Sequence, residues 1–172
     1  TALALSVFAQ KTATISSKTL TTVTGQSIAP ATINGVANCV PLGHADIYAV
    51  TAIEDVTSPD ADNDISDRYI VDNGQRDNFY DIGRIKLKPG AIVPTGQLLV
   101  NVDYFSHGSG DYFDVDSYSG VVSYESIPSY TSDTSGNKFE LRDVLDFRPR
   151  VDDASTIDSG SNDRSFDGTG AS

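Results

Sequence analysis

Apolar and polar residues alternate at period two through much of the chain, and glycine, proline and asparagine cut the alternation into short runs. That pattern predicts half-buried antiparallel strands, because successive strand side chains face opposite sides. Between Thr12 and Gly25, TATISSKTLTTVTG is dense in β-branched residues, which favour extended backbone over helix. In HADIYAVTAIEDV, Ile47, Ala49, Thr51 and Ile53 share one side, and Tyr48, Val50 and Ala52 share the other. Both faces are mainly apolar, so a central strand is expected there. A short strand is predicted over Arg68 to Asp72, followed by the turn signal Asn73-Gly74. Gly83 to Lys88 and Gln97 to Phe105 follow as strands on either side of KPGAIVPTG. Asp111 to Tyr118 repeats the alternation and predicts one more, with Phe113, Val115 and Ser117 opposite Tyr112, Asp114, Asp116 and Tyr118. Helical spacing shows only in LRDVLDF, where Leu141, Val144 and Leu145 allow one or two turns before Arg148-Pro149 forces extension. The fold class expected is all-β, an antiparallel sandwich-like module with long loops and little helix.

Charge divides this picture along the chain. Of 24 acidic residues only Asp46 precedes Glu54, and residues 1–41 are rich in Thr, Ser, Ala and Val with almost no charge. Three regions are therefore expected. They are a Thr-rich β segment over 1–41 suited to a neighbouring module or chain, a β-rich module over 42–151, and an acidic linker or tail over 152–172. The last is mostly Asp, Ser and Gly, too poor in apolar residues to offset its ordering entropy alone. The net charge of −12 disfavours a nucleic-acid partner, whose phosphates need clustered Lys and Arg, and an anionic membrane surface for the same reason. No run of 18 apolar residues occurs, so no spanning helix is expected. The single Cys39 allows no internal disulfide and fits a reducing place of assembly. The opening TALALSVFAQ carries no initiator Met and no basic lead-in, and reads as strand or coil within a longer polypeptide.

Five groups of residues are candidates for chemistry. Asp60, Asp62 and Asp64 place oxygens at alternate loop positions, a pattern Ca²⁺ accepts. Against an EF-hand loop, Ile65 stands where Gly is needed and Val71 where a bidentate Glu belongs, so a solvated acidic loop is the reading adopted. Ser106, His107 and Asp111 supply the ingredients of an acyl-transfer triad within SHGSGD, but triads draw on separated segments and G-x-S-x-G is absent. His107 is read as a hairpin tip. Asp111, Asp114 and Asp116 among Tyr112, Phe113 and Tyr118 are the residue types of glycoside hydrolysis or sugar binding, a signal devalued by the abundance of aspartate and the lack of Trp. His44 and Cys39 have no partners at a metal-binding spacing. Arg142, Arg148 and Arg150 beside Asp143 and Asp146 suit a buried or interfacial ion pair. No catalytic, cofactor or metal residue is assigned.

The ordered set NFYDIGRIKLKPG, LLVNVDYFSHGSGDYFDVDSYS, IPSYTS and FELRDVLDFRPRV, preceded by ATINGVANCVPLGHADIYAVTAIEDV, resembles a module of large structural proteins of tailed bacteriophages, especially contractile-tailed ones. The resemblance spans roughly residues 12 to 151. It implies a virion component of a tail, baseplate or fibre, assembled in the bacterial host cytoplasm, whose partners are other virion proteins or copies of itself. It brings no enzymatic residues. On that reading Tyr80, Phe105, Tyr118, Tyr130 and Phe147 pack the core or an interface, and Asp143, Asp146, Arg148 and Arg150 fix the meeting with a neighbour. Two further readings stand beside it: a host-surface glycan-binding module using the loops around Ser106 to Ser119, and a hydrolase fragment working through Asp114 or Asp116.

Overall fold

The computed structural model describes residues 8–29, 32–33, 36–37, 39–56, 64–76, 79–94, 96–132, 135–146 and 166. Its elements are mostly antiparallel strands with a single short helix, as the alternation requires. Strands β1 (Lys18–Ile28), β2 (Thr32–Ile33), β3 (Val36–Ala37), β4 (Cys39–Ala45) and β5 (Ile47–Asp55) come first. They are followed by β6 (Tyr69–Asp72), β7 (Ile82–Leu87), β8 (Leu98–His107), β9 (Ser129–Thr131), β10 (Lys138–Glu140) and α1 (Leu141–Leu145). Two three-stranded sheets form, in the orders β1-β8-β5 and β4-β7-β6, with β2-β3 and β9-β10 as small hairpins. The boundary expected at residue 41 falls inside β4, and β1 of the Thr-rich segment pairs with β8 from Lys18↔His107 to Ile28↔Leu98.

Two apolar clusters result. The first is aliphatic and takes Val40 and Leu42 from β4, Ile53 from β5, Ile85 from β7, and Leu98, Val100 and Val102 from β8. Each of these is 1% exposed or less, so both sheets contribute to one dry core. Burying side chains of this size is worth roughly 1.5–3 kcal/mol apiece. The second cluster is aromatic: Phe105, Val115, Tyr118, Tyr124 and Ile127 are buried together, with Leu20, Tyr48, Leu141 and Leu145 packed against them.

Two expectations change. β5 is an edge strand, and the central strand of its sheet is β8. Its two-sided apolarity has another cause: Ile47 and Ile53 join the aliphatic core while Tyr48 meets Phe105 of the aromatic cluster edge-on at 5.3 Å. Register shifts between Ile47 and Ala49 and between Val50 and Ala52 let one strand serve both clusters. The second change is over Asp111 to Tyr118, which forms no alternating strand. Asp114 caps a 3₁₀ turn at Val115–Tyr118, its carboxylate accepting from Ser117 N while Ser117 Oγ accepts in turn from Asp114 N at 3.0 Å. Three residues per turn then put Val115 and Tyr118 on the same inward side. Asn73-Gly74 does turn the chain, with Gly74 at φ 86° and no room for a Cβ, which would lie 2.2 Å from Asp81 O.

Candidate functional site: an aromatic groove over a buried lysine

Lys18 opens β1, and its register partner in β8 is His107. The lysine side chain is fully buried, and its Nζ donates to Asp46 Oδ2 at 2.6 Å and to Tyr80 Oη at 3.1 Å. Asp46 sits between β4 and β5 at φ 54°, a left-handed turn that aspartate tolerates better than most residues. Its carbonyl accepts from Phe105 N at 2.9 Å, which fixes the turn against β8. His107 Nε2 lies 3.0 Å from the same Asp46 Oδ2 that Lys18 contacts. The rings of Tyr80, Phe105, Phe113 and Tyr118 surround Nζ at 4.6–5.3 Å from their centroids, in cation–π range.

Burial acts against the charge on Lys18, but Tyr118, Asp46 and Tyr80 outweigh it and hold the ammonium above its ordinary titration range. Burial also raises the Tyr118 phenol well above its usual value, only partly offset by Lys18. Lys18 therefore keeps its proton at neutral pH, beside the neutral phenol of Tyr118.

Tyr80 and Tyr118 have a second side, which lines a groove of about 490 Å³. Phe113, Tyr130 and Phe139 complete its aromatic surface, Leu141, Val144 and Leu145 its aliphatic one, and Gln75 and Arg76 its polar edge. Tyr130 and Phe139 face each other across the β9-β10 hairpin and stack at 6.3 Å. Phe139 and Val144 stay 44% and 52% exposed, so the wall of the groove is apolar and open. Arg76 is anchored by a two-pronged pair with Asp72, both bonds 2.9 Å, and reaches Asp81 at 3.4 Å. Burial raises the Asp72 carboxyl, but Arg76, Gly74 N and Lys86 together bring it below its ordinary value. Gln75 donates through Nε2 to Arg76 O, and its buried Oε1 has no hydrogen-bond partner among the described residues. This surface can accept an apolar or aromatic side chain and one donor.

The residues singled out in the sequence are dispersed. Ser106 Oγ contacts Thr21 Oγ1 and Thr19 O, His107 turns to Asp46, and Asp111 pairs with Lys11 and accepts from Thr14 N, so the three are not brought together. His107 ends β8 with its ring against Tyr80 and Phe113, which corrects its reading as a hairpin tip. Asp114 is engaged in its cap. Asp64 accepts from Ser66 N and Oγ, which lowers its carboxyl below the ordinary range, while Asp60 and Asp62 lie outside the described residues. Among the described residues no group of three or more His, Cys, Asp or Glu is placed to hold a metal ion. Arg142 pairs with Glu125, and Asp146, fully buried, accepts from Tyr124 Oη at 2.6 Å. Phe147, Arg148 and Arg150 lie outside the described residues. The Lys18–Asp46–His107 centre was missed by sequence reasoning, although its signal was present: Lys18 and Asp46 are isolated charges in an otherwise neutral stretch. No family model matches the chain, and no curated protein and no solved structure is significantly similar to it.

Proposed function

We propose that the chain is a non-enzymatic structural module of a phage virion, part of a tail, baseplate or fibre, and that it acts through protein–protein contacts. The observation that carries the contact role is the open groove walled by Tyr130, Phe139 and Val144. Exposed apolar surface of this kind, with a polar edge, is typical of surfaces that another protein covers. The assignment to a virion rests on the resemblance of the ordered motifs, and the sandwich arrangement of the two sheets on their shared aliphatic core. The partner is another virion protein or a second copy of the chain.

The test is a phage carrying Val144→Asp. A charge on the exposed groove wall leaves the isolated chain within about 0.5 kcal/mol of its original stability. Particle yield falls, and the variant protein is depleted from purified particles by mass spectrometry. Full incorporation at unchanged yield contradicts the reading. A glycan-binding module is the second reading, favoured by Gln75 Oε1, which has no partner among the described residues and lies next to the tyrosines of the groove, where a sugar hydroxyl could donate. Retention of a specific sugar on a glycan array, lost in Gln75→Ala, supports it over the first.

A further inference from the structure

We propose that Lys18 and Asp46 condense to an intramolecular isopeptide bond, a covalent tie between the start of β1 and the turn that joins β4 to β5. The inference stands apart from the virion reading and rests on geometry alone. An amine donor and a carboxyl acceptor are held in hydrogen-bond contact at 2.6 Å, with the lysine side chain fully buried and Asp46 only 7% exposed at its side chain. Four aromatic rings enclose the nitrogen and keep out the water that would compete with it or reverse the bond. Fixed contact of this kind replaces an encounter in solution by effective concentrations of about 10⁵–10⁸ M. A proton relay is also in place, because His107 Nε2 lies 3.0 Å from the same carboxylate oxygen and can give it a proton and take one up in exchange.

The step balances without any other reactant. Lys18 Nζ begins with three hydrogens. One passes along the hydrogen bond to Asp46 Oδ2, giving a neutral amine and a neutral acid. The nitrogen lone pair then attacks Cγ and forms the new C–N bond. A second hydrogen leaves nitrogen and reaches Oδ2 by way of His107 Nε2, the Cγ–Oδ2 bond breaks, and water departs. The third hydrogen stays on the amide nitrogen, and His107 ends as it began. The two buried charges are removed, and with them the desolvation penalty of holding an ion pair away from water. Since Lys18 rests as an ammonium held by its contacts with Asp46 and the rings, the neutral amine is reached rarely, and the bond forms slowly after folding.

Such a tie changes what β1 can do. Hydrogen bonds alone allow a strand at a sheet edge to be peeled away from its neighbour, whereas the amide holds Lys18 to Asp46 after those bonds open.

Intact-mass spectrometry of the folded 172-residue chain, followed over days, tests the proposal. The expected result is a species lighter by one water, with a protease-resistant link between the peptides that contain Lys18 and Asp46. Lys18→Arg, which keeps a cation beside Asp46 but cannot condense, stays at full mass. In His107→Ala the lighter species appears about 10²-fold more slowly, the scale of a lost general base. A wild-type chain that is folded by circular dichroism yet remains at full mass, an ion pair only, overturns the proposal. So does a water loss whose link maps to other residues.

Discussion

The aliphatic and aromatic clusters of this protein are built on opposite principles. In the first, Leu98, Val100 and Val102 of β8 meet Val40, Leu42 and Ile85 of the second sheet, and strands supply every buried side chain but Ile65. In the second, Phe105, Val115, Tyr118 and Tyr124 come from a strand end and two 3₁₀ turns, Val115–Tyr118 and Tyr124–Ser126, and a lysine, an aspartate and a histidine sit among the rings nearby. Periodicity specifies the first and tolerates exchange of one hydrophobe for another. Individual hydrogen bonds specify the second, where one lost partner strands a charge. The groove opens on the second, so the surface read as the contact face rests on the less forgiving half of the molecule.

The largest effect is expected at Asp46. Removing its carboxylate leaves Lys18 buried and unpaired, and Asp46→Ala destabilises the uncondensed chain by about 3–5 kcal/mol in urea unfolding. Replacing both charges, Lys18→Met with Asp46→Leu, recovers most of that loss, since a well-packed apolar pair avoids desolvation altogether. Equal losses in the single and double variants would show that the region depends on these residues for shape rather than charge. In the aliphatic cluster, Leu98→Ala is expected to lower stability by about 2–5 kcal/mol through lost contacts and the cavity left behind.

The clusters also part company with pH. Lys18 and Tyr118 both titrate above their ordinary values of 10.5 and 10.0, so the folded chain holds protons that the unfolded chain releases. Their contribution is full below about pH 10 and declines as pH rises beyond it. In the condensed form Lys18 no longer titrates and Tyr118 alone supplies this loss. At the acid end Asp72, lowered by Arg76, contributes fully above its ordinary 3.8 and loses that contribution as pH falls further. Thermal melts from pH 8 to 11 should therefore broaden near-UV aromatic signals of the second cluster before far-UV strand signal is lost. Simultaneous loss of both signals would mean that the two clusters unfold as one unit. A smaller effect is expected at the 3₁₀ cap, where Asp114→Ala costs about 1 kcal/mol by the measure of helix N-caps.

The same contrast explains what could be read from the chain. Alternation located β6, β7 and β8 within a residue or two, because an inward Leu98, Val100 and Val102 leave few other arrangements. The helical spacing of Leu141, Val144 and Leu145 likewise marked α1. Alternation misled over Asp111 to Tyr118, where a cap made by Asp114 and Ser117 sets the backbone and the inward residues are Val115 and Tyr118, three apart. It also misled over β5, whose register shifts are invisible to a simple period. Apart from the isolation of Lys18 and Asp46 among neutral residues, no local pattern marks the Lys18 centre, since its residues come from positions 18, 46, 80 and 107 and meet only in the assembled fold, where β8 pairs with both β1 and β5.

The contact role can be tested most directly by a cryo-EM map of the intact particle that contains this chain. The account expects side-chain density from a neighbouring subunit inside the groove, against Tyr130, Phe139 and Val144. A map in which that groove faces open solvent in every copy would contradict it.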